Sequence, residues 1–186
     1  MAVEALKSTA IINLDASPIV ALTTGEGGDG PLRSVTGNVT MTAATSATST
    51  YRLVRIPTNA KVKHVFWTSF NTPGAGAGDW DVAFSDSATD GTQPALAGGI
   101  VQISGPADNK LFGSAITVPA SLTITELTFK NTFTADHQNL PLWQVLVNLL
   151  ATQFTSDPGG FFDIMFRVTT AVTNSVITAV EVQYVE

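Results

Sequence analysis

Two histidines, His64 and His137, are the residues of this sequence best suited to acid–base chemistry. His137 follows Asp136, but no serine lies in a Gly-x-Ser-x-Gly turn. Two histidines are also too few for a three-histidine zinc site. His64 shares one side of an alternating segment with Val62 and Phe66, which predicts a hydrogen-bonded core histidine. Cysteine is absent, so thiolate chemistry is excluded. We therefore expect no catalytic residue, no enzyme activity and no cofactor.

An acidic segment is the best candidate for a metal site. It holds four aspartates, which are Asp79, Asp81, Asp86 and Asp90. Calcium takes about six to eight oxygen ligands, often from loop carboxylates, so the ligand type fits, but the spacing differs from that of an EF-hand loop. We favour a solvated acidic loop over a calcium site, and we expect no bound metal.

Two glycine-rich segments resemble phosphate-binding loops only superficially. Residues 74–78 precede a predicted strand, whereas the dinucleotide fingerprint requires a following helix. Residues 27–30 lack the Gly-Lys-Ser/Thr ending of a phosphate loop. The net charge of −6 also argues against nonspecific nucleic-acid binding, which needs clustered lysine and arginine. No nucleotide or nucleic-acid partner is expected.

The surface is predicted to be poor in charge. Charged residues make up 13% of the 186 residues, against roughly 25% in ordinary soluble domains. A surface covered by partners would account for this, and so would an uncharged Thr/Ser/Asn surface on a free monomer. No run of about 18 apolar residues exists, so no membrane partner is expected. Residues 1–7 do not follow the pattern of a signal peptide.

One helix is predicted, beginning at Pro141, where a proline suits the first helical turn. Two apolar rows follow at helical spacing. The first comprises Leu142, Val145, Leu146 and Leu149, and the second comprises Trp143, Val147, Leu150 and Phe154. A helix that is apolar on nearly all sides is buried on more than one side. The second row is therefore a candidate subunit interface, and the alternative is a helix enclosed within its own subunit.

The remaining segments favour β structure. Residues 156–160 end the helix, and the strand that follows has a core face composed of Phe162, Ile164, Phe166 and Val168. Other alternating segments occupy residues 35–41, 51–56, 62–70, 80–84, 100–103 and 176–184. A change of phase predicts a bulge or break near Thr125 and Glu126. The predicted fold is all-β, a jelly-roll-like β-sandwich with one short helix and an extended N-terminal arm.

The predicted domain organisation is an N-terminal arm, residues 1–24, and a β-sandwich domain, residues 25–186. A glycine-rich loop, Glu26-Gly-Gly-Asp-Gly-Pro31, separates them. The arm carries four apolar residues for contact, which are Leu6, Ile11, Ile12 and Leu14. It either pairs with its own sheet or reaches a neighbouring chain.

Three parts of the sequence resemble a group of small structural proteins of tailed bacteriophages. They are Leu6-Lys-Ser-Thr-Ala10, then Tyr51-Arg-Leu-Val-Arg-Ile-Pro57 with Ala60-Lys-Val62, and finally Leu140-Pro-Leu-Trp-Gln144 with Asp157-Pro-Gly-Gly-Phe-Phe-Asp-Ile164. The group includes capsid decoration, or cement, proteins with jelly-roll-like folds. The resemblance rests on framework residues and covers most of the chain.

The resemblance implies a virion protein that binds the outside of a phage capsid and stabilises the shell. Its expected partners are the major capsid protein and copies of itself, as a homo-oligomer and most simply a trimer. The expected location is the capsid surface, after assembly in the host cytoplasm. The apolar residues of the arm then become candidate capsid contacts.

A virion carbohydrate-binding or host-attachment module is the alternative function. It would need Trp67 or Trp80 exposed in a groove for sugar stacking, whereas their positions, and that of Trp143, favour core packing. An enzyme ranks third, and would need a pocket that joins His137 to nearby acids.

Overall fold

The computed structural model describes most of the chain. The described residues are 5–7, 12, 15–16, 31–42, 45, 47, 49–71, 76–84, 95–96, 99–100, 110–119, 121–150, 156–172 and 175–186.

The described strands form two main sheets. In chain order they are β1 (Ala5–Lys7), β2 (Arg33–Met41), β3 (Thr50–Pro57), β4 (Lys61–Asn71), β5 (Ala77–Phe84), β6 (Ala95–Leu96), β7 (Gly99–Ile100), β8 (Gly113–Thr117), β9 (Thr123–Glu126), β10 (Phe161–Thr170) and β11 (Val176–Val185). One sheet has the order β1-β3-β10-β5-β8 and the other β2-β11-β4-β9, while β6 pairs with β7. The predicted all-β sandwich is confirmed, and the assignment to the jelly-roll type stays a prediction.

Each sheet is built around a long strand near the C-terminus. β10 pairs antiparallel with β3 and β5, and β11 pairs antiparallel with β2 and β4. The predicted core face of β10 is confirmed, because Phe162, Ile164, Phe166 and Val168 are all buried. β11 buries every second residue, as the period of a strand requires, from Val176 to Tyr184.

An aromatic cluster joins the two sheets. Trp67 of β4 lies 5.4 Å from Trp80 of β5 and 5.8 Å from Phe166 of β10, measured between ring centroids. Both indoles are fully buried, which confirms the predicted core packing. The Trp67 indole N–H donates to the Thr178 hydroxyl. Aromatic contacts of this kind contribute about 0.5–1.5 kcal/mol each beyond the apolar area they bury.

A β-bulge in β4 overturns the predicted placement of His64. Val62 pairs with Tyr184 and His64 pairs with Gln183, so Lys63 is an extra residue in the ladder. One inserted residue exchanges the two faces of a strand. His64 therefore points outward, with 43% of its side chain exposed. The prediction of a core histidine was wrong because alternation alone does not reveal the bulge.

The predicted helix is α1, Leu142–Leu150, and it follows a 3₁₀ helix, Ala135–Asn139. The first backbone N–H groups of a helix lack intrahelical partners. Here the N–H of Leu142 donates to the Ala60 carbonyl at 2.8 Å, and that of Trp143 donates to the Thr58 carbonyl at 3.0 Å. The turn between β3 and β4 therefore holds the start of the helix against the sandwich.

The sheets approach each other closely at Gly37 of β2. A Cβ atom at this position would lie 1.9 Å from the Leu53 backbone carbonyl oxygen. No side-chain movement relieves a collision with backbone, so only glycine fits.

We predict that Gly37→Ala lowers the free energy of unfolding by about 3 kcal/mol, the upper part of the range for overpacked cores. The matched control is Thr36→Ala, an exposed neighbour on the same strand, which should cost less than about 1 kcal/mol. Urea denaturation of both variants measures the difference. Equal unfolding midpoints would show that the two sheets are not in contact at Gly37.

Candidate functional site

A buried charge cluster lies on β10 and β3. Asp163 is fully buried. One of its carboxylate oxygens accepts a hydrogen bond from Arg55 Nε at 2.8 Å. The other accepts from Arg55 Nη2 at 3.3 Å and from Arg52 Nη1 at 3.4 Å. Since buried charges require partners, this arrangement fixes the positions of all three side chains.

Residues of the N-terminal arm complete the cluster. β1 pairs in parallel with β3, with Leu6 opposite Tyr51 and Lys7 opposite Arg52. Asp15 accepts from the Arg55 guanidinium and from Lys7 Nζ, the latter at 2.7 Å. The charges alternate in sign along the series Lys7, Asp15, Arg55, Asp163, Arg52. The described part of the arm contacts the sheet of its own chain.

Arg55 is the residue that the arm and the sandwich share. Burial alone would lower the pKa of its guanidinium, but hydrogen bonds and charge attraction from Asp163 and Asp15 outweigh burial and raise that pKa. Arg55 therefore stays charged. The described contacts between arm and sandwich combine strand pairing with ion pairs.

Asp79 forms a second buried ion pair and was predicted incorrectly. It is 1% exposed, and it accepts from Arg167 Nη2 at 3.1 Å and from the Ala115 backbone N–H at 2.8 Å. Lys110 Nζ also lies 3.7 Å from its carboxylate. With two cations and a backbone donor as partners, Asp79 is not part of a solvated acidic loop. The Asp81 side chain, Asp86 and Asp90 lie outside the described residues. Within the described ranges, no three acidic or histidine side chains are grouped as a metal site.

Both histidines have structural partners. His137 Nδ1 lies 3.0 Å from the Thr134 backbone nitrogen, which caps the 3₁₀ helix, and its ring packs 5.5 Å from that of Phe133. His64 Nδ1 lies 2.9 Å from Glu126 Oε1. This hydrogen bond, aided by the Thr128 hydroxyl, lowers the pKa of the Glu126 carboxyl against a smaller opposing effect of burial.

Exposed apolar side chains lie on and beside β9, an edge strand of the four-stranded sheet. Leu122, Ile124 and Phe129, which we call the edge patch, are 64%, 70% and 49% exposed. Among the described strands, β9 pairs only with β4. Ile124 and Phe129 line an open depression of ≈ 430 Å³ together with Lys130.

The edge patch results from the predicted change of phase. β9 ends at Glu126, and the next residue, Leu127, turns inward and is fully buried. The break predicted near Thr125 and Glu126 is therefore confirmed. Spacing predicts the change of parity but not which side chains face water, since Phe129 is exposed although it has the same parity as the buried Leu127.

The candidate subunit interface on α1 is only partly described. Trp143 and Val147 are half-buried and pack against the core. Leu150 is the last residue of α1, and its side chain and Phe154 lie outside the described residues. The interface assignment stays a prediction.

The candidate contacts of the arm are also partly described. Leu6 is 39% exposed and Ile12 is 55% exposed, while Ile11 and Leu14 lie outside the described residues. The described arm thus presents apolar side chains to solvent while its charged side chains face the sandwich. Its role as a contact with another protein stays a prediction.

Two solved structures are similar to the chain over most of its length. One, titled as the capsid of Ralstonia phage GP4, has 13% sequence identity and a TM-score of 0.49, and the match covers 98% of each chain. The other, titled as the capsid asymmetric unit of cyanophage Pam1, has 13% identity and a TM-score of 0.41, covering 91% of this chain and 95% of that chain. Both similarities are distant.

Two further comparisons found nothing. No family model and no curated protein matches the chain. Among the described residues, no helix is long and apolar enough to cross a membrane.

We predict that Asp163→Asn lowers the free energy of unfolding by about 3 kcal/mol, because removing one partner of a buried ion pair leaves the other charge uncompensated. The control is Asp136→Asn, an exposed residue of the 3₁₀ helix, which should change stability by less than about 0.5 kcal/mol. Chemical denaturation at neutral pH compares the two. A loss below about 1 kcal/mol for Asp163→Asn would contradict a stabilising role for the cluster.

Proposed function

We propose that this chain is a structural protein of a tailed-phage virion that binds the outside of the capsid and stabilises the shell, as a decoration or cement protein. Its partners would be the major capsid protein and copies of itself. The resemblance of three sequence segments to this group suggests a capsid protein as the partner. The exposed surface of the molecule suggests which residues make the contact.

The edge patch is the observation that carries the proposal. Contiguous exposed apolar side chains on a soluble protein mark contact sites. Ile124 projects from β9, the last described strand of its sheet, where backbone groups also remain for pairing, and Leu122 and Phe129 flank that strand. A surface that offers apolar side chains at a sheet edge suits attachment to another protein.

The chemistry of the remaining outer face supports a contact role. Along β2 the outward residues are Ser34, Thr36, Asn38 and Thr40, all exposed and uncharged. Such a surface makes many weak contacts without the cost of removing charges from water. A charged fraction of 13% fits a surface of this kind.

Oligomerisation would strengthen weak contacts. Linked copies gain avidity, since each further contact becomes intramolecular once the first has formed. We propose a homo-oligomer, with three copies as the number that the sequence resemblance implies. Closed symmetric oligomers repeat one contact in every subunit.

Neither alternative function gains support from the described residues. A sugar-binding module would need an exposed Trp67 or Trp80, and both are fully buried. An enzyme would need His137 in a pocket with acids, whereas its ring nitrogen caps the 3₁₀ helix.

We predict that Ile124→Asp weakens capsid binding at least about tenfold, because it removes apolar contact area and puts an unpaired charge in the interface. Capsids of the phage that encodes this chain, prepared without the protein, would be mixed with purified protein and sedimented. Bound protein per particle against free concentration gives the affinity.

Thr117→Asp is the matched control. It adds the same charge at an exposed position on β8, an edge strand of the five-stranded sheet. We expect it to leave binding within about twofold of the unmodified protein. Equal binding of both variants would exclude the edge patch, and no binding of the unmodified protein to capsids would refute the proposed function.

For self-association, we predict that Val147→Asp releases folded monomers from the oligomer, because an aspartate buried in an apolar interface has no partner. Asn148→Asp, an exposed position on the same helix, should leave the oligomer intact. Light scattering gives the mass and circular dichroism gives the fold. Unfolded Val147→Asp protein would place the second helix row inside the subunit, and a monomeric unmodified protein would contradict oligomerisation.

A further inference from the structure

The outer edge of β9 carries backbone groups that no described strand uses. The Leu127 backbone N–H donates to the Val65 carbonyl at 2.8 Å, and β9 continues the same register along β4. In an antiparallel pair, the backbone groups of successive residues point alternately toward the partner strand and away from it. The N–H and C=O of Thr125 therefore point toward β4, whereas those of Ile124 and Glu126 point away from it. Among the described strands, β9 pairs only with β4.

The side chains beside this edge define a pattern for an incoming strand. Ile124 is 70% exposed, and Glu126 lies two residues further along on the same outer face. Glu126 Oε1 lies 2.9 Å from His64 Nδ1 and accepts from the Thr128 hydroxyl at 3.1 Å, so Oε2 can accept from a further donor. The His64 hydrogen bond lowers the pKa of this carboxyl, which keeps it an anion at neutral pH. Lys130 lines the depression beside it.

A second copy of β9 does not complement this edge. When a strand pairs antiparallel with its own copy about a two-fold axis, only residues whose backbone groups point outward bond directly to each other. The registers available to β9 and the preceding Leu122 place Glu126 opposite Leu122, opposite Ile124 or opposite Glu126 of the partner subunit. None of these pairs joins opposite charges or two apolar side chains at the carboxylate, and facing carboxylates destabilise a sheet. The edge therefore fits a strand of a different sequence.

We propose that the β9 edge binds an extended segment of the capsid protein by strand addition. The segment places an apolar side chain opposite Ile124 and, two residues along, a lysine or arginine opposite Glu126. Its backbone bonds with the outward N–H and C=O groups of both residues. In strand addition the main-chain bonds give affinity and alternate side chains give specificity. Strand addition rests on the proposed function for the identity of the partner, and it adds how that partner is held.

Proline and alanine at position 124 separate backbone bonding from side-chain contact. Ile124→Pro and Ile124→Ala both remove most of the isoleucine side chain, but only proline also removes the N–H. An edge strand tolerates proline where the N–H faces outward. Both variants would be mixed with capsids prepared without the protein and sedimented. We expect Ile124→Pro to bind at least about tenfold more weakly than Ile124→Ala, because a carbonyl of the segment loses its donor.

The outcomes separate strand addition from the proposed function. Equal binding of the proline and alanine variants, with the unmodified protein bound, refutes strand addition and leaves the proposed function in place. No binding of the unmodified protein refutes the proposed function, and the capsid segment with it. Light scattering without capsids tests the other occupant: a smaller oligomer for Ile124→Pro would assign the edge to a second copy and overturn the proposal.

Thr125→Pro is the matched control for folding, since it removes an N–H that points toward β4. It should lower the urea midpoint of unfolding, whereas Ile124→Pro should keep a midpoint close to that of Ile124→Ala. If Ile124→Pro is destabilised as strongly as Thr125→Pro, the Ile124 N–H belongs to the sheet and strand addition at this edge is refuted.

Hydrogen exchange on the unmodified protein gives a measurement that needs no variant. Exchange would be run on free and capsid-bound protein, and peptic fragments that cover residues 122–127 would be compared by mass. Amides that bond between strands are protected from exchange. Strand addition predicts that binding protects the amides of Ile124 and Glu126. A bound fragment without added protection refutes it.

Glu126→Gln tests the cation opposite this residue. Loss of an exposed ion pair should weaken capsid binding about threefold at low salt, and less at high salt. Asp136→Asn, an exposed change of the same type, should leave binding unchanged. Glu126→Gln protein that binds as tightly as unmodified protein at low salt would refute a lysine or arginine at that position of the segment.

Discussion

The contact among Trp67, Trp80 and Phe166 is the interaction on which the rest of the structure depends. It joins β4 of one sheet to β5 and β10 of the other. Three large rings between the layers determine how far apart the sheets lie nearby, and interiors pack with few voids. Space is also small beside the cluster within the five-stranded sheet. A Cβ atom at Gly78 of β5 would lie 2.3 Å from the Phe166 ring on the neighbouring strand β10.

The aromatic cluster lies between the inner faces of the two sheets. The outer faces of the two sheets differ in chemistry. On the five-stranded sheet, the outward positions of β10 and β3 carry Asp163, Arg55 and Arg52, and all three are buried. On the four-stranded sheet, the outward positions of β2 are exposed and uncharged. Buried ion pairs contribute little net stability, but they penalise any arrangement that leaves a charge unpaired. The first face is therefore suited to specifying where the arm binds, and the second to contacting solvent or another protein over a broad area.

The same division accounts for the proposed role in assembly. Apolar side chains at the β9 edge and on the outer side of the arm give contact area without a fixed geometry. The charge cluster of Arg52, Arg55 and Asp163 gives a fixed geometry, because the Arg55 guanidinium donates to two carboxylates in defined directions. A protein that joins repeated units of a shell needs both properties, since its contacts must be numerous and must recur in the same register.

Much of the sandwich could be predicted from the sequence, because a strand or helix with one buried face shows a regular spacing of apolar residues along the chain. Alternation in residues 162–168 and 176–184 marks strands with one core face, and Pro141 marks the start of the only predicted helix. The phase change at Thr125 and Glu126 showed that β9 ends there. These features depend on neighbours along the chain, so spacing alone determines them.

Only the tertiary structure decided the contacts between distant residues. The bulge at Lys63 reverses the face of His64 because β4 must match β11, which lies more than a hundred positions away in the sequence. From its place in the alternation, Asp163 is expected to be an ordinary outward residue. In the fold, β3 places two arginines beside it. Asp79 likewise resembles a loop carboxylate until Arg167 is placed next to it. The sequence by itself determined which residues alternate and where elements end, whereas strand pairing decided which charges meet, because ion pairs across a sheet leave no periodic signal in either strand.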